Sequence, residues 1–235
     1  MSPKQFKQEI INHYMDQDGL VSPDRNPTRW STGNGLLYTG LFYTICSILQ
    51  ETTDADTAHF QESVKRCYVE DHKGLLNRNP KRPDHESHDD YIGVVVASLL
   101  LGTRNKCDVW SYGKRNFWVF DNRLPERLFT LGAVSSWHGR FPLQLALYHY
   151  ACSENPGIFL KLLARAALYL STFEKKSNAE AWARNWLIVQ ALKKVGALKS
   201  AVHHWEIEFM RRYMSLSCCL QLAFGHQHPF AKAPI

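Results

Sequence analysis

Two segments of this sequence share one pattern, and the distance between them constrains the fold more than any other feature. Each has Gly-Leu and a further apolar residue, then an Arg-Asn-Pro triplet, a basic residue, and a Ser just before an apolar helical pattern. The triplets occupy 25–27 and 78–80, so they lie 53 positions apart. Internal repeats with periods of this length are typical of stacked supersecondary units. We therefore predict a chain of paired helices.

Apolar residues that recur with a helical period cover most of the chain. A first helix begins at Ser2 and Pro3, because Ser is a favoured N-cap and Pro is tolerated in the first turn. No segment has a convincing strand pattern, and both a long loop and a short hairpin stay open for 102–122. The predicted helices span about 2–18, 32–50, 54–70, 87–101, 124–136, 142–152, 156–171, 177–195 and 198–224.

The length and the composition fit one domain. The chain has 235 residues, of which 45% are hydrophobic, enough for one substantial core and few for two. We therefore predict an all-α fold, a single domain of antiparallel helical hairpins over 1–225 that forms a partial α/α toroid. The tail over 226–235 contains two prolines and is expected to be loosely held.

The sequence also restricts the cellular setting. We expect no signal peptide, because residues 1–16 are polar and amphipathic, and no apolar run approaches the ~20 residues that span a bilayer. The six cysteines form no Cys-x-x-Cys pair and mostly fall in apolar helical patterns, which is typical of a reducing compartment. We therefore predict synthesis in a cytoplasm, with virion association as an option and with no membrane partner.

The formal net charge of +6 favours anionic partners. Lys and Arg are dispersed along the chain rather than clustered, so a nucleic-acid partner is not expected. The predicted partner is a glycan or another anionic small ligand, or a protein if the chain belongs to an assembly.

The second repeated segment carries ionisable groups that the first lacks. Asp84, His88 and Asp89 precede or open a predicted helix, whereas the first segment has Asn34 where the second has Asp90 and contains no His. Imidazole and carboxylate groups supply general acids, general bases and metal ligands. The extra groups are therefore candidates for a site.

A structural interpretation competes with that one. Ser87 as N-cap with Asp90 three residues later forms a capping box, and Asp89 lies in the first turn, where the helix dipole favours a carboxylate. The sequence leaves both interpretations open.

Four residues outside this cluster are further candidates. Arg25 and Arg78 open the two triplets and are expected to pair with neighbouring carboxylates in a repeated connection, or else to converge on an anionic ligand. Trp30 and Trp137 lie in polar stretches flanked by Gly, where a ring can stack on a sugar. His138, which follows Trp137, is a candidate base, although a surface turn is the favoured interpretation.

Several common sites lack their motifs in this sequence. It contains no Gly-x-x-x-x-Gly-Lys loop, no Gly-x-Ser-x-Gly elbow, no His-Glu-x-x-His and no zinc-finger spacing. The sequence therefore contains no motif that indicates a nucleotide-phosphate, serine-hydrolase or common zinc site. Neither a cofactor nor a metal is predicted.

Three short stretches carry resemblances to known families. Helical hairpins of this length resemble the α/α toroids of six-hairpin glycosidases and toroidal polysaccharide lyases. The stretch 30–35, Trp-Ser-Thr-Gly-Asn-Gly, is similar to the Trp-x-Arg-Gly-Asn-Gly stretch of unsaturated glucuronyl hydrolases, with Thr32 in place of Arg. Asn185-Trp186 is similar to a pair in the lyases, and 87–93 resembles stretches of tailed-phage proteins. The first two resemblances imply a glycan-active toroid.

Three hypotheses follow. The first is a glycan-binding or glycan-cleaving all-α protein with a cleft at the helix N-terminal ends. The second is a non-enzymatic virion or assembly component that acts through protein contacts. The third is a metal-dependent phosphohydrolase resembling all-α His-Asp domains and using His59, His88 and Asp89. For the first, the catalytic candidates are His88, Asp89, Asp84 and His138, and the substrate-binding candidates are Arg25, Trp30, Asn34, Arg78, Asp90 and Trp137.

Overall fold

The structure, a computed structural model, describes residues 2–22, 26–27, 35–78, 80, 88–116, 187 and 190, and of His88 and Asp89 it describes the backbone only. This part of the chain is rich in helix, with five α-helices and one two-stranded antiparallel sheet. In chain order they are α1 (Pro3–His13), α2 (Gly35–Ile48), α3 (Asp54–Arg66), β1 (Tyr68–Val69), β2 (His72–Leu76), α4 (His88–Leu101) and α5 (Asn105–Arg115).

Helix α1 begins where the sequence predicts. Ser2 Oγ accepts a hydrogen bond from the Gln5 N–H at 3.2 Å, and the Gln5 side chain accepts one from the Ser2 N–H at 2.7 Å. This capping box pairs N–H groups that a helix start leaves without intrahelical partners. The helix is shorter than predicted because Met15 and Val21 then form an antiparallel bridge, which turns at Gly19 with φ +80°.

The expectation that the chain contains no strand is wrong for residues 68–76, so the described part is not all-α. Helix α3 begins as predicted but ends at Arg66, and β1 and β2 follow as a hairpin that turns at Asp71 with φ +64°. The first two residues of β2 are exposed and its last three are buried. Burial of that half against the core decides the local structure, because strand preference depends mainly on packing.

Helices α2 and α4 form the centre of the core and cross at two glycines. A Cβ on Gly40 would overlap the carbonyl of Gly93, and a Cβ on Gly93 would lie 2.5 Å from the Leu36 oxygen. Glycine at both positions therefore permits backbone contact between the helices. Leu37 and Asp90 precede these two glycines by three residues, and the Leu37 N–H donates to Asp90 Oδ1 at 2.9 Å. Since Leu37 contacts Asp90 and Gly40 contacts Gly93, α2 and α4 run in the same direction.

The repeated sequence pattern is a repeated structural unit. In the first unit α1 leads through the bridge into α2, and in the second α3 leads through the β1–β2 hairpin into α4. The Ser22 backbone N–H donates to the Tyr14 carbonyl oxygen at 2.8 Å, and the Asn77 backbone N–H donates to the Cys67 carbonyl oxygen at 2.7 Å. Tyr14 and Cys67 each directly follow the first helix of their unit. In their described parts, the two connections therefore share this backbone contact after the first helix of each unit.

A second pair of matching contacts fixes each connection to its buried helix. The Val21 N–H donates to Thr39 Oγ1 at 2.8 Å in the first unit, and the Leu76 N–H donates to the Tyr91 hydroxyl at 2.8 Å in the second. Each contact uses a side chain near the start of the helix that follows. The strand ends and the helix starts therefore lie together in both units.

The helix starts correct one alignment made from the sequence. Helices α2 and α4 begin at Gly35 and His88, which are 53 positions apart, as are the two triplets. Asn34 therefore corresponds to Ser87, the residue before α4, and not to Asp90. The position that corresponds to Asp90 is Leu37, which is also its hydrogen-bond partner.

Helix α5 lies in the segment whose structure the sequence left open. It follows α4 after a turn at Gly102, with φ +73°, and it packs against α4 and β2. A Cβ on Gly74 would overlap the carbonyl of Asp108 and lie 2.9 Å from the Tyr112 Cβ. Val109 and Tyr112 are buried in the same core as Leu187.

Most predictions for the second half of the chain lie outside the described residues. These are the helices expected over 124–224 and the tail from 226; Leu187 and Gln190 are described and both are helical. Within the described ranges, the longest helices have 14 residues, and none combines the length and the apolar character that crossing a bilayer requires.

Candidate functional site

The structure describes only part of the predicted site. Arg78 and Asp90 have described side chains, whereas His88 and Asp89 contribute backbone positions in the first turn of α4. The other six predicted site residues lie outside the described residues and remain predictions: Arg25, Trp30, Asn34, Asp84, Trp137 and His138.

The starts of α2 and α4 are side by side, because the two helices run in the same direction and touch near their first turns. A helix start presents backbone N–H groups without intrahelical partners and carries a partial positive charge. Two adjacent starts therefore concentrate hydrogen-bond donors at one end of the core. This is the geometric feature on which the site can be built.

Asp90 has a structural role at this place. Its side chain is only 1% exposed, and its Oδ1 accepts the N–H of Leu37, the third residue of α2. That N–H is one of the four that a helix leaves unpaired, so Asp90 on α4 caps the neighbouring helix. The capping box predicted for Ser87 and Asp90 involves Ser87, which lies outside the described residues, so it stays a prediction. The observed contact of Asp90 joins the two repeats.

The end of β2 supplies two further buried polar groups. Asn77 is 6% exposed, and within the described part of the chain neither its Oδ1 nor the Arg78 Nε has a hydrogen-bond partner. Among the described residues no carboxylate pairs with Arg78, so the expected ion pair is not observed there. A buried polar atom without a partner costs about 1–3 kcal/mol, which a ligand or a water removes by bonding to it.

Sequence reasoning included Arg78 but missed Asn77. A signal was present in the repeat, because the residue after the Gly-Leu-apolar run is polar in both units, Ser22 and Asn77, and both are buried. Polar residues that directly follow a buried apolar run are candidates for the edge of a site.

A second polar network lies where α5 meets the β1–β2 hairpin. Asp108 accepts a hydrogen bond from the Tyr68 hydroxyl at 3.0 Å, and its other oxygen lies 3.1 Å from Lys73 Nζ. Asn105 Nδ2 donates to the Tyr68 oxygen at 3.2 Å. Burial, together with the charge of Asp108, raises the pKa of Tyr68, so the phenol stays protonated and donates. Sequence analysis did not single out this network.

The described cysteines behave as buried apolar side chains. Cys46, Cys67 and Cys107 are unpaired. Burial raises the pKa of the Cys46 thiol to about 12. Burial, and then the charge of Asp90, hold the pKa of Cys67 well above its usual value. These two thiols are poor nucleophiles and poor metal ligands at neutral pH.

His59, which the phosphohydrolase hypothesis uses, has a different contact. Its Nδ1 lies 2.7 Å from the Tyr43 hydroxyl. Burial raises the pKa of Tyr43, so the phenol stays protonated at neutral pH. Among the side chains that the structure describes, no group of three His, Cys, Asp or Glu residues is placed to hold a metal ion. The side chains of His88 and Asp89 are not among these, and that hypothesis stays a prediction.

Comparisons with known proteins add no family to this picture. Protein-family models, curated proteins and solved structures were compared with the chain, and none matches it. The geometry of the repeated units is therefore the basis for assigning a function.

Proposed function

We propose that this chain is a glycan-binding or glycan-cleaving helical protein whose cleft lies at the shared N-terminal end of α2 and α4. The observation that carries the proposal is the pair of contacts between Leu37 and Asp90 and between Gly40 and Gly93. They bring the starts of two duplicated helices together, which is where the sequence concentrates its acids, imidazoles and aromatic side chains.

The spacing of the helices supports a toroid of hairpins. Helices α1, α3 and α5 begin at 3, 54 and 105, so 51 positions separate each from the next. Helix α5 thus begins where the first helix of a third unit is expected. Repeated units that stack with the same rotation place all their buried helices around one axis. In such a ring the starts of those helices surround one hollow.

The chemistry of this end suits a polyhydroxylated ligand. Backbone N–H groups at helix starts and the Arg78 guanidinium are donors, and the Asn77 side chain provides an acceptor. Sugar hydroxyl groups both donate and accept, so they pair with a mixed set of this kind. His88 and Asp89 lie in the first turn of α4 and are the proposed acid and base.

The two cleavage chemistries assign these residues differently. In a hydrolase, Asp89 and Asp84 are the proposed carboxylate pair, one protonating the leaving oxygen and the other acting on water or on the sugar. In a lyase, His88 or His138 abstracts the proton beside the sugar carboxylate, the C–O bond on the next carbon breaks as the C=C bond forms, and a Tyr hydroxyl or water protonates the leaving oxygen. Neither route needs a metal or a cofactor in this proposal.

The test is a panel of neutral and acidic oligosaccharides, with binding measured by calorimetry and cleavage by the release of reducing ends or of unsaturated product. The wild-type chain is expected to bind at least one class, and His88→Ala and Asp89→Asn are expected to weaken binding or turnover. Asp54→Asn is the matched control, because Asp54 is an exposed carboxylate in the first turn of α3. Absence of binding to every sugar contradicts the proposal, as does full activity in both variants.

The assembly hypothesis finds no specific support in the described surface. Among the described residues, Ile48 is the one large hydrophobic side chain that is exposed, at 46%. The core of a protein interface is usually richer in apolar and aromatic side chains. We therefore do not propose this function, and it stays a prediction from the sequence.

A further inference from the structure

A groove beside α5 is lined mainly by charged side chains. It is open to solvent, has a volume of about 390 Å³, and is called the α5 groove below. We infer that the α5 groove binds the acidic group of a charged sugar, so that the glycan proposed above is an anionic one; this inference rests on the proposed function. The groove is lined by Lys73, Asp108, Ser111, Lys114 and Arg115.

The charges of the groove leave a positive end. Lys73 and Asp108 lie 3.1 Å apart and offset each other's charge. Lys114 and Arg115 follow in the last turn of α5, and among the described residues no carboxylate pairs with either. Arg115 Nε donates to the Ser111 carbonyl at 3.3 Å, which leaves the other guanidinium N–H groups for a ligand. This end of the groove can therefore receive a carboxylate or a sulfate.

One lining residue of the groove, Asp108, is held in place before any ligand binds. Asp108 is fixed by the Tyr68 hydroxyl, and Asn105, which is 3% exposed, donates to that hydroxyl in turn. Gly74 lets the backbone of β2 lie directly against α5. Around Asp108 and the β2–α5 contact the groove is therefore preformed, which reduces the ordering cost of binding there.

The mixed character of the lining favours a sugar over nucleic acid. The Asp108 carboxylate and the Ser111 hydroxyl can accept hydrogen bonds from ligand hydroxyl groups. The negative charge of Asp108 in the lining opposes a continuous row of phosphates. The five lining residues include no aromatic side chain, whereas proteins that bind single strands usually stack bases on such rings.

The groove lies close to the proposed cleft. Gly74 of β2 contacts α5 at Asp108, and two residues later the Leu76 N–H donates to Tyr91 in the first turn of α4. A strand rises ~3.3 Å per residue, so these two contacts are about 7 Å apart along β2. Strand β2 therefore runs from the α5 groove, which Lys73 lines, to the start of α4.

The experiment measures binding of four probes by titration calorimetry: an oligogalacturonate, a sulfated heparin fragment, a neutral malto-oligosaccharide and a short single-stranded DNA. The groove variant is Lys114→Gln with Arg115→Gln. The control is Lys4→Gln with Lys65→Gln, which makes the same charge change at exposed positions on α1 and α3. Circular dichroism and thermal unfolding verify that both double variants are folded.

The wild-type chain is expected to bind a carboxylated or sulfated oligosaccharide, and the two acidic probes tell which group is preferred. Loss of two charge-assisted contacts is expected to weaken that binding about 10-fold or more in the groove variant, with little change in the control. Equal affinity of the groove variant and the wild type overturns the inference, as does tighter binding of DNA than of either acidic sugar. Binding of neutral sugars that is as tight as that of acidic ones overturns it while leaving the glycan function intact, whereas absence of binding to all sugars contradicts the glycan function itself.

Discussion

Replacing either glycine at the crossing of α2 and α4 by alanine tests the packing on which the site depends. A Cβ on Gly40 would overlap the Gly93 carbonyl and lie 2.5 Å from the Gly93 Cα, against at least 3.4 Å for ordinary contact, so the helices must separate by at least about 0.9 Å. The atoms in the way are backbone on both sides and have no rotamer to change. The separation also lengthens the nearby Leu37–Asp90 hydrogen bond, which is 2.9 Å long.

Three effects set the expected change in unfolding free energy: one stabilises the variant and two destabilise it. Alanine in place of glycine favours a helix by about 1 kcal/mol. Overpacking costs about 1–3 kcal/mol. Weakening a buried hydrogen bond to a carboxylate costs about 1–3 kcal/mol more. We therefore expect Gly40→Ala to lower the free energy of unfolding by about 1–5 kcal/mol, and Gly93→Ala to have a similar effect.

Urea unfolding followed by circular dichroism measures this change, with the free energy taken from the midpoint at constant slope. The double variant supplies the control. Because both alanines act on one contact, its loss of unfolding free energy should be smaller than the sum of the losses in the two single variants. Stabilisation of Gly40→Ala by about 1 kcal/mol, as helix preference alone predicts, would refute the close crossing.

Three further predictions concern separate parts of the described chain. Burial alone would raise the pKa of Asp56, but hydrogen bonds, chiefly from Lys7, lower it below the usual value. The free energy of unfolding should therefore fall as the pH drops from about 4 through the native pKa of Asp56. Acid titrations of unfolding should show a weaker pH dependence in Asp56→Asn. Ser2→Ala should lower the free energy of unfolding by about 1 kcal/mol in urea, through loss of the α1 cap. Cys46 and Cys67 should resist alkylation in the native protein and react after unfolding, as site-resolved mass spectrometry will report; fast native labelling contradicts their burial.

The sequence predicts local features of this fold well where one short pattern decides them. The α1 start follows from Ser2 and Pro3 alone, and the described residues before the two Arg-Asn-Pro triplets make matching backbone hydrogen bonds. The hairpin at 68–76 was missed because apolar residues continue the α3 period as far as Tyr68, and β2 is stabilised by packing on α5, which the sequence does not display. Helix α5 was missed because most of its residues are polar.

The candidate site was only partly predictable for a similar reason. A polar cluster before a helix indicates Asp90 as a candidate, but its partner Leu37 is an apolar residue that contributes only its backbone N–H. That contact can be inferred only when the packing of α2 against α4 is known. The α5 groove likewise combines Lys73 on a strand with residues on a helix, so spacing along the chain does not reveal it.

Hydrogen–deuterium exchange with and without a bound oligosaccharide tests the central proposal, a ligand cleft at the joined starts of α2 and α4. An acidic oligosaccharide at saturating concentration is expected to slow amide exchange in the first turns of both helices together, near Leu37 and Tyr91, and to leave their last turns near Ile48 and Leu101 unchanged. Protection at only one of the two starts, or at the opposite ends of the helices, would contradict the proposed cleft.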